Sequence, residues 1–241
     1  MRTSSLSRDF AYTLGALFLL LLWEWGGQDM AMAAWFGSAA GFPLRDNALF
    51  DALLHRWPHH LAWVILFALM AQIRWPLGFF KTLPRKALVL GIVATVLAIL
   101  VIQMFKRYSP TSCPWDVQAF GGQALQLPHW RALFSGLRDG GGGHCFPAGG
   151  ASSGFAFVAA YPFLRPHAPR FARGWLVLAL VSGAIIGLAQ QMRGAHFMSH
   201  TLWTAWLCWS CGMAVFYGQA IVAACAHKKT ASVEAVCSKP M

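Results

Sequence analysis

The sequence predicts an all-α integral membrane protein, a bundle of six transmembrane helices with a long loop between helices 3 and 4. Hydrophobic residues make up 57% of the 241 residues, charged residues make up only 11%, and the mean hydropathy is +0.51. The chain also holds six apolar runs, and a helix needs about 20 mostly apolar residues to cross a bilayer. Six spans use up this length, so we expect a single transmembrane domain over residues 1–241.

Each predicted span is an apolar run between charged segments or segments rich in glycine and proline. Because an isolated strand in lipid leaves its backbone N–H and C=O groups without partners, each run is predicted to be a helix. The predicted spans are Phe10–Trp25, His60–Ile73, Ala87–Phe105, Ala151–Leu164, Trp175–Gln190 and Leu202–Ala226. Residues 30–42 are apolar but short and interrupted by glycine, so we expect them in the membrane interface or against the bundle.

The distribution of charge orients the predicted bundle. With a cytoplasmic N-terminus, 12 of the 19 Lys and Arg residues lie on the cytoplasmic side, and six of the eight acidic residues lie on the outer side. The net charge is then 12 − 2 = +10 inside and 7 − 6 = +1 outside, which follows the positive-inside rule. The formal net charge of +11 therefore indicates topology, and no nucleic-acid partner is expected. Both termini are expected in the cytoplasm.

The N-terminal segment has a second interpretation, a cleaved signal peptide. Arg2 and Arg8 precede a Leu-rich run, and residues 31–33 have the small-x-small form of a cleavage site. Glu24 and Asp29 lie between the run and that site. Acidic residues there suit a retained helix that ends in the outer aqueous phase, so we favour a retained helix.

Three polar segments adjoin predicted helix ends on the outer side, at residues 106–116, 144–154 and 193–200. They converge if the helices form a bundle. The long loop between the first two carries prolines and four consecutive glycines, and a loop of this length is more often functional than idle. Two cations, a helix N-terminus with unpaired N–H groups and a histidine pair suit an oxyanion such as phosphate, which a histidine can attack.

The order and spacing of these segments resemble the type 2 phosphatidic acid phosphatase superfamily of membrane lipid phosphatases. The family's first motif is Lys, six residues and then Arg-Pro, whereas here Lys106 is followed after six residues by Cys113 and a proline. The second motif is Pro-Ser-Gly-His, and residues 147–150 read Pro-Ala-Gly-Gly. The lysine of the first motif is therefore present, while its arginine and the histidine of the second motif are not.

The third motif matches best. Residues 194–199 read Gly-Ala-His-Phe-Met-Ser and correspond to a Gly-Ala-His-Phe-x-Ser-Asp-like stretch of the family, with His200 in place of the aspartate. The family's arginine, six residues before the motif histidine, is Gln190 here, but Arg193 lies three residues before it. Arg193 can supply the same charge from the next turn.

The resemblance implies a role for each of these residues. His196 is the expected nucleophile, which forms a phosphohistidine, and His200 takes the orienting place of the aspartate, with Asp116 as an alternative. No metal or other cofactor is expected. The residues expected to bind the phosphate, by charge or through backbone N–H groups, are Lys106, Arg107, Arg193, Gly149, Ala151 and Ser152.

Gly150 stands where the family has its general acid, the histidine that protonates the leaving lipid oxygen. A placed general acid contributes about 10²–10⁴-fold in rate. Two explanations stay open: the chain is an inactivated phosphatase that still binds its substrate, or another acid, such as His144, has taken over. We favour the first, and Gly150→His is then expected to raise phosphatase activity by roughly tenfold or more.

Cys113 and Cys145 flank the first two motifs on the outer loop. We expect a disulfide between them, which an oxidising compartment permits; the alternative is a pair of free, packed thiols. A metal site built from His196, His200 and a loop His or Cys is a less favoured interpretation.

The resemblance thus implies a lipid phosphatase or phosphotransferase of the bacterial inner membrane, with its active site on the periplasmic face among the lipid head groups. Candidate substrates are undecaprenyl diphosphate, lipid A phosphate, phosphatidylglycerol phosphate and phosphatidic acid. The alternative is a catalytically inactive protein that binds or transports a lipid phosphate, which Gly150 and Cys113 favour.

Overall fold

The fold is known from a computed structural model that describes residues 3–127 and 135–237. Within these ranges it is helical, and two isolated bridges are its only β contacts. The helices are α1 (Thr3–Trp25), α2 (Gln28–Ala33), α3 (Ala48–Asp51), α4 (Trp57–Arg74), α5 (Arg85–Tyr108), α6 (Ser152–Phe155), α7 (Tyr161–Leu164), α8 (Pro169–Met192) and α9 (Met198–Cys237). A π-helical turn, Ala52–Arg56, joins α3 to α4, and 3-10 helices cover Gly78–Thr82, Pro114–Asp116, Gln118–Phe120 and Ala156–Ala160. Three cations used to orient the bundle, Arg2, Arg131 and Lys239, lie outside the described residues.

Four helices in the described part of the chain are long and apolar enough to cross a membrane. They are Ser5–Trp25, Arg85–Tyr108, Pro169–Met192 and Met198–Val222, and they coincide with the first, third, fifth and sixth predicted spans. The second predicted span lies on α4, whose first turn carries Pro58, His59 and His60. The fourth lies on a shorter apolar helical segment, Ser152–Leu164. Four helices therefore indicate a membrane protein. The count of six spans stays a prediction.

The outer surface of the helices is apolar, as lipid contact requires. Large hydrophobic side chains are exposed on α1 at Phe18 and Leu19, on α4 at Phe67, and on α8 at Leu178 and Val181. Large exposed apolar patches on proteins usually mark contact with a membrane, a partner or a ligand. Helices α1, α4 and α8 thus each carry exposed large hydrophobic side chains, and α1 and α8 are among the four helices that are long and apolar enough to cross a membrane.

The segment Ser152–Leu164 lies at the centre of the bundle, against α5, α8 and α9. Small residues let the backbones approach closely there. A Cβ atom added at Gly154 would lie 2.3 Å from the backbone nitrogen of Gly183 on α8, and one added at Gly212 of α9 would lie 2.6 Å from Ala159. Every residue of the 3-10 stretch Ala156–Ala160 is buried. This close packing fixes the N-terminus of α6, where one of the polar segments begins.

The two ends of the bundle are held by different contacts. Near the N-terminus of α1, the buried Asp9 forms an ion pair with Arg165 and accepts a hydrogen bond of 2.6 Å from the Tyr217 hydroxyl. At the opposite end, Asp29 accepts hydrogen bonds from the backbone N–H of Ser199 and the indole of Trp23, both 2.9 Å long. The contact to Ser199 anchors the start of α9 at the end where the polar segments lie.

The apolar segment 30–42 packs against this second end of the bundle. Phe42 contacts Phe120 with ring centroids 4.9 Å apart, and Ala33, Val117 and Phe197 complete a small apolar cluster. The sequence allowed residues 30–42 to lie either in the membrane interface or against the bundle. The structure shows them in contact with the bundle. Segment 30–42 and the loop that follows α5 together form a layer over the polar end.

Candidate active site

The three polar segments meet at one end of the bundle. The last turn of α5 carries Lys106, and a Cβ atom added at Gly149, ahead of α6, would lie 3.2 Å from the Lys106 Nζ. The backbone N–H of Ala148 donates to the carbonyl of His200 at 3.2 Å, which joins the second segment to the first turn of α9. These contacts place the ammonium group, the glycine turn and the histidines in one cluster.

His196 is buried in this cluster, with 5% of its surface exposed. Its Nδ1 atom donates a hydrogen bond of 2.8 Å to the backbone carbonyl of Cys145, so Nδ1 carries the proton and Nε2 keeps its lone pair. Burial, together with the nearby charge of Lys106, lowers the pKa of His196 to about 3. The imidazole is therefore neutral at physiological pH, which a nucleophile requires.

The orienting contact of His196 differs from the sequence-based expectation. The structure gives this place to the Cys145 carbonyl, and not to His200 or Asp116. The ring of His200 lies at an angle to that of His196, with centroids 5.8 Å apart, and also contacts Phe146. The Asp116 carboxylate accepts a hydrogen bond from the neighbouring indole of Trp115. A main-chain oxygen thus lies at the ring nitrogen where His200 or Asp116 was expected.

The turn at residues 149–151 offers three consecutive backbone donors. Within residues 3–127 and 135–237, the N–H groups of Gly149, Gly150 and Ala151 donate to no backbone acceptor. Ser152 differs from the expectation, because its N–H and its hydroxyl both donate to the Gly149 carbonyl, at 3.2 and 2.6 Å. Three N–H groups next to the Lys106 ammonium can bind an oxyanion, while Ser152 shapes the turn.

The two arginines expected at the phosphate have different surroundings. Arg193 borders the cluster, where its guanidinium donates to Asp51 at 2.5 Å and to the Arg45 carbonyl at 3.1 Å. Its charge is therefore already partly compensated by a carboxylate. Arg107 is exposed at the end of α5, and no hydrogen bond or ion pair of its side chain joins it to the described part of the cluster.

Sequence reasoning missed His55, a half-buried residue of the π-helical turn before α4. A Cβ atom added at Gly150 would lie 3.2 Å from the His55 Nδ1 atom. Burial lowers the pKa of His55, and so do Arg193 and Lys106, whereas Asp51 raises it. The available signal was the spacing of Asp51 and His55, four residues apart and thus on one helix face just before the second apolar run.

Cys113 and Cys145 form a disulfide in the structure, with Cα atoms 5.2 Å apart. Donor atoms of Cys145, His196 and His200 all lie within 4.8 Å of one another, which is the arrangement considered above for a metal. Zinc sites use a thiolate, and the Cys145 sulfur is committed to the disulfide. The trio therefore lacks one of its three ligands while the bond is intact.

An apolar groove of about 500 Å³ opens beside the cluster, between α4 and α8. Its lining includes Leu54, next to His55, and Ser153, next to the glycine turn, and it continues along Trp57, Leu178 and Ile186. A larger groove of about 610 Å³ lies between α1 and α9, and no residue of the cluster lines it. The first groove thus connects the polar cluster with the apolar surface of the bundle.

Comparison with known proteins gives one match. The sequence model of a protein family described as the PAP2 superfamily matches residues 85–221, a region that includes Lys106, the 149–151 turn, Arg193 and His196. No curated protein and no solved structure matches the chain. His55 and Asp51 precede the matched region.

Proposed function

The chain belongs to the PAP2 superfamily, whose sequence model matches more than half of it, and from this premise we propose that it is a membrane lipid phosphatase. It hydrolyses a lipid phosphomonoester or diphosphate through a phosphohistidine on His196. The proposal includes six spans in a bacterial inner membrane, cytoplasmic termini and an active site at the periplasmic face. The bundle end that carries His196 would then lie among the lipid head groups.

The observation that carries the proposal is the environment of His196. The imidazole is buried and neutral, its Nδ1 proton is held by the Cys145 carbonyl, and the Lys106 ammonium lies in the same cluster. Nε2 attacks phosphorus, and the negative charge on the phosphoryl oxygens is stabilised by Lys106 and by the N–H groups of residues 149–151. Donors fixed in place before the reaction are usually the largest single contribution to such catalysis.

The groove between α4 and α8 supports a lipid as the substrate. Its lining is mostly apolar, and it reaches the cluster at Leu54 and Ser153, so an acyl or prenyl chain can lie in it while the phosphate reaches Lys106. Undecaprenyl diphosphate, lipid A phosphate, phosphatidylglycerol phosphate and phosphatidic acid all combine such a chain with a phosphate. Water as the acceptor gives a phosphatase, and a second lipid phosphate gives a phosphotransferase through the same intermediate.

The test is phosphate release from these lipids in detergent micelles by the wild-type chain and by His196→Ala. Exposed His60 of α4 supplies the matched control, His60→Ala. The missing histidine at residue 150 favours an inactivated chain on the sequence alone, but the neutral His196 beside Lys106 and the 149–151 N–H groups supports an active one. We therefore expect release by the wild type and by the control, none by His196→Ala, and a phosphohistidine on His196 after brief exposure to substrate.

A second candidate, a lipid-phosphate-binding or transport protein, is favoured by Gly150, by Gln190 in place of the family's arginine and by the pairing of Arg193 with Asp51. Tight binding of a lipid phosphate with no release and no phosphohistidine would establish this alternative instead.

A further inference from the structure

We propose that His55 is the general acid of this chain and that it reaches from the turn before α4 into the space that Gly150 leaves without a side chain. The proposal rests on the phosphatase function proposed above. It assigns a catalytic role to a residue that lies outside the region matched by the family and outside the three sequence motifs.

The position of the His55 ring is the first support. A Cβ atom added at Gly150 would lie 3.2 Å from Nδ1 and 3.6 Å from Cε1 of His55, and 3.4 Å from the Gln190 Cγ atom. The ring therefore occupies the volume into which a side chain at residue 150 would extend. Residue 150 adjoins the N–H groups proposed to bind the phosphate, so the His55 imidazole lies beside the expected leaving oxygen.

The hydrogen-bonding state of His55 is the second support. Its Nδ1 atom is buried and has no hydrogen-bond partner in the described part of the chain. Buried polar atoms are nearly always paired, so an atom left open at the edge of the cluster indicates a place for a substrate oxygen. The π-helical geometry of residues 52–56 is rare in proteins and occurs frequently at functional sites.

Two other histidines of the cluster fit the role less well. His144 is exposed, and its Nδ1 atom lies 3.3 Å from the backbone carbonyl of Lys106. His200 is buried, and its ring contacts Phe146 and Phe197. Of the three, His55 is the one whose ring adjoins Gly150.

The reaction balances with His55 as the proton donor. The His196 Nε2 atom forms a bond to phosphorus, the bond from phosphorus to the lipid oxygen breaks, and the oxygen takes the electron pair and a proton from the His55 imidazolium. Neutral His55 then accepts a proton from the water that attacks phosphorus. The P–N bond breaks, its electron pair returns to His196, and phosphate leaves.

The charges around His55 decide when it carries its proton. Asp51 and His59 face it from its own helical segment, Lys106 from α5, Arg193 from the end of α8 and His196 from the loop before α9. Burial and the cations lower its pKa in the substrate-free protein, and a bound phosphate dianion has the opposite effect. We therefore expect kcat/KM for a lipid phosphate to rise as the pH falls toward the pKa of His55.

The experiment compares two leaving groups. A lipid alkoxide needs a proton in order to leave, whereas 4-nitrophenolate does not. We expect His55→Gln and His55→Ala to lower kcat on phosphatidic acid by about 10²–10⁴-fold and kcat on 4-nitrophenyl phosphate by less than roughly tenfold. His60→Gln, a change at an exposed histidine of the adjacent helix, should alter neither rate. In the His55→Ala background, Gly150→His should restore turnover of phosphatidic acid.

The outcomes separate this proposal from the one on which it rests. Retained turnover of 4-nitrophenyl phosphate shows that the His55 variants are folded. An equal loss on both substrates, or no loss on either, would overturn the role of His55 while His196 still forms its phosphohistidine. A wild type that turns over neither substrate, beside an active His55→Ala/Gly150→His variant, would also overturn it. Unchanged turnover in His196→Ala would instead overturn the phosphatase mechanism itself.

Discussion

Acid should destabilise this protein through the burial of His196. The folded chain holds the imidazole neutral with a pKa of about 3, whereas an unfolded chain has a histidine pKa of about 6.5. Between these two values only the unfolded chain binds the proton, so the free energy of unfolding decreases as the pH falls. Linkage over the interval from pH 8 to pH 5 gives a loss of about 2 kcal/mol from this single residue. His55, whose pKa is also lowered, contributes in the same direction.

The assay is denaturant unfolding in micelles, followed by tryptophan fluorescence at pH 8, 7, 6 and 5. The wild type is compared with His196→Gln, which has no titrating ring, and with His144→Gln at an exposed position. Only the pH dependence matters, so a constant loss of stability in either variant does not disturb the comparison. We expect His196→Gln to lose about 2 kcal/mol less than the wild type between pH 8 and pH 5, and His144→Gln to follow the wild type. Equal slopes for the wild type and His196→Gln would refute the reasoning, because His196 would then accept a proton in the folded protein.

Three further predictions concern the disulfide, the glycine turn and the groove. The double change Cys113→Ser and Cys145→Ser should lower the free energy of unfolding by about 3–4 kcal/mol, as expected for a loop of this length, and should lower turnover; unchanged stability under non-reducing conditions would count against the bond. Gly150→His alone should gain less phosphate release than the same change in the His55→Ala background, because the new side chain meets His55 at 3.2 Å; an equal gain in both backgrounds would show that the two rings do not compete. Leu178→Trp in the groove should raise KM for long-chain lipid phosphates more than for short-chain ones, and a uniform effect on both would argue that the chain lies elsewhere.

Each of the six predicted apolar segments lies on a helical segment of the structure, and the two shorter ones, Trp57–Arg74 and Ser152–Leu164, lie within three residues of their predicted bounds. Helices α1, α5, α8 and α9 contain nearly uninterrupted apolar runs, and hydropathy locates these runs. The helices themselves extend further: α1 begins seven residues before its predicted span, α8 begins six before, and α9 ends eleven after. Helix α4 begins with polar and aromatic residues that precede the predicted span. The segment Ser152–Leu164 is short and partly 3-10, because small residues carry it through the centre of the bundle at close contact. Backbone geometry of that kind leaves no periodic signal.

The sequence also named Lys106, Gly149 and His196, which the structure brings into one cluster, because the spacing of three motifs identifies them. It did not find His55 or the Cys145 carbonyl. His55 and Gly150 are 95 positions apart in the sequence. They lie side by side only because of the way α4 packs against the bundle. Every residue carries a backbone carbonyl, so a pattern of residue types cannot identify the one that contacts His196.

The use of that carbonyl to hold His196 affects how the site tolerates mutation. Any residue at position 145 brings the same oxygen, so a library of single substitutions can exchange the side chain without deleting the group that fixes the imidazole. The contact is lost only when the path of the chain changes, through an inserted or deleted residue or a released loop. The orientation of the nucleophile is thus inherited through the length of a loop and the Cys113–Cys145 bond that anchors it. A substitution at position 145 keeps the oxygen but removes that bond, so it acts on the histidine only through the freedom that the loop gains.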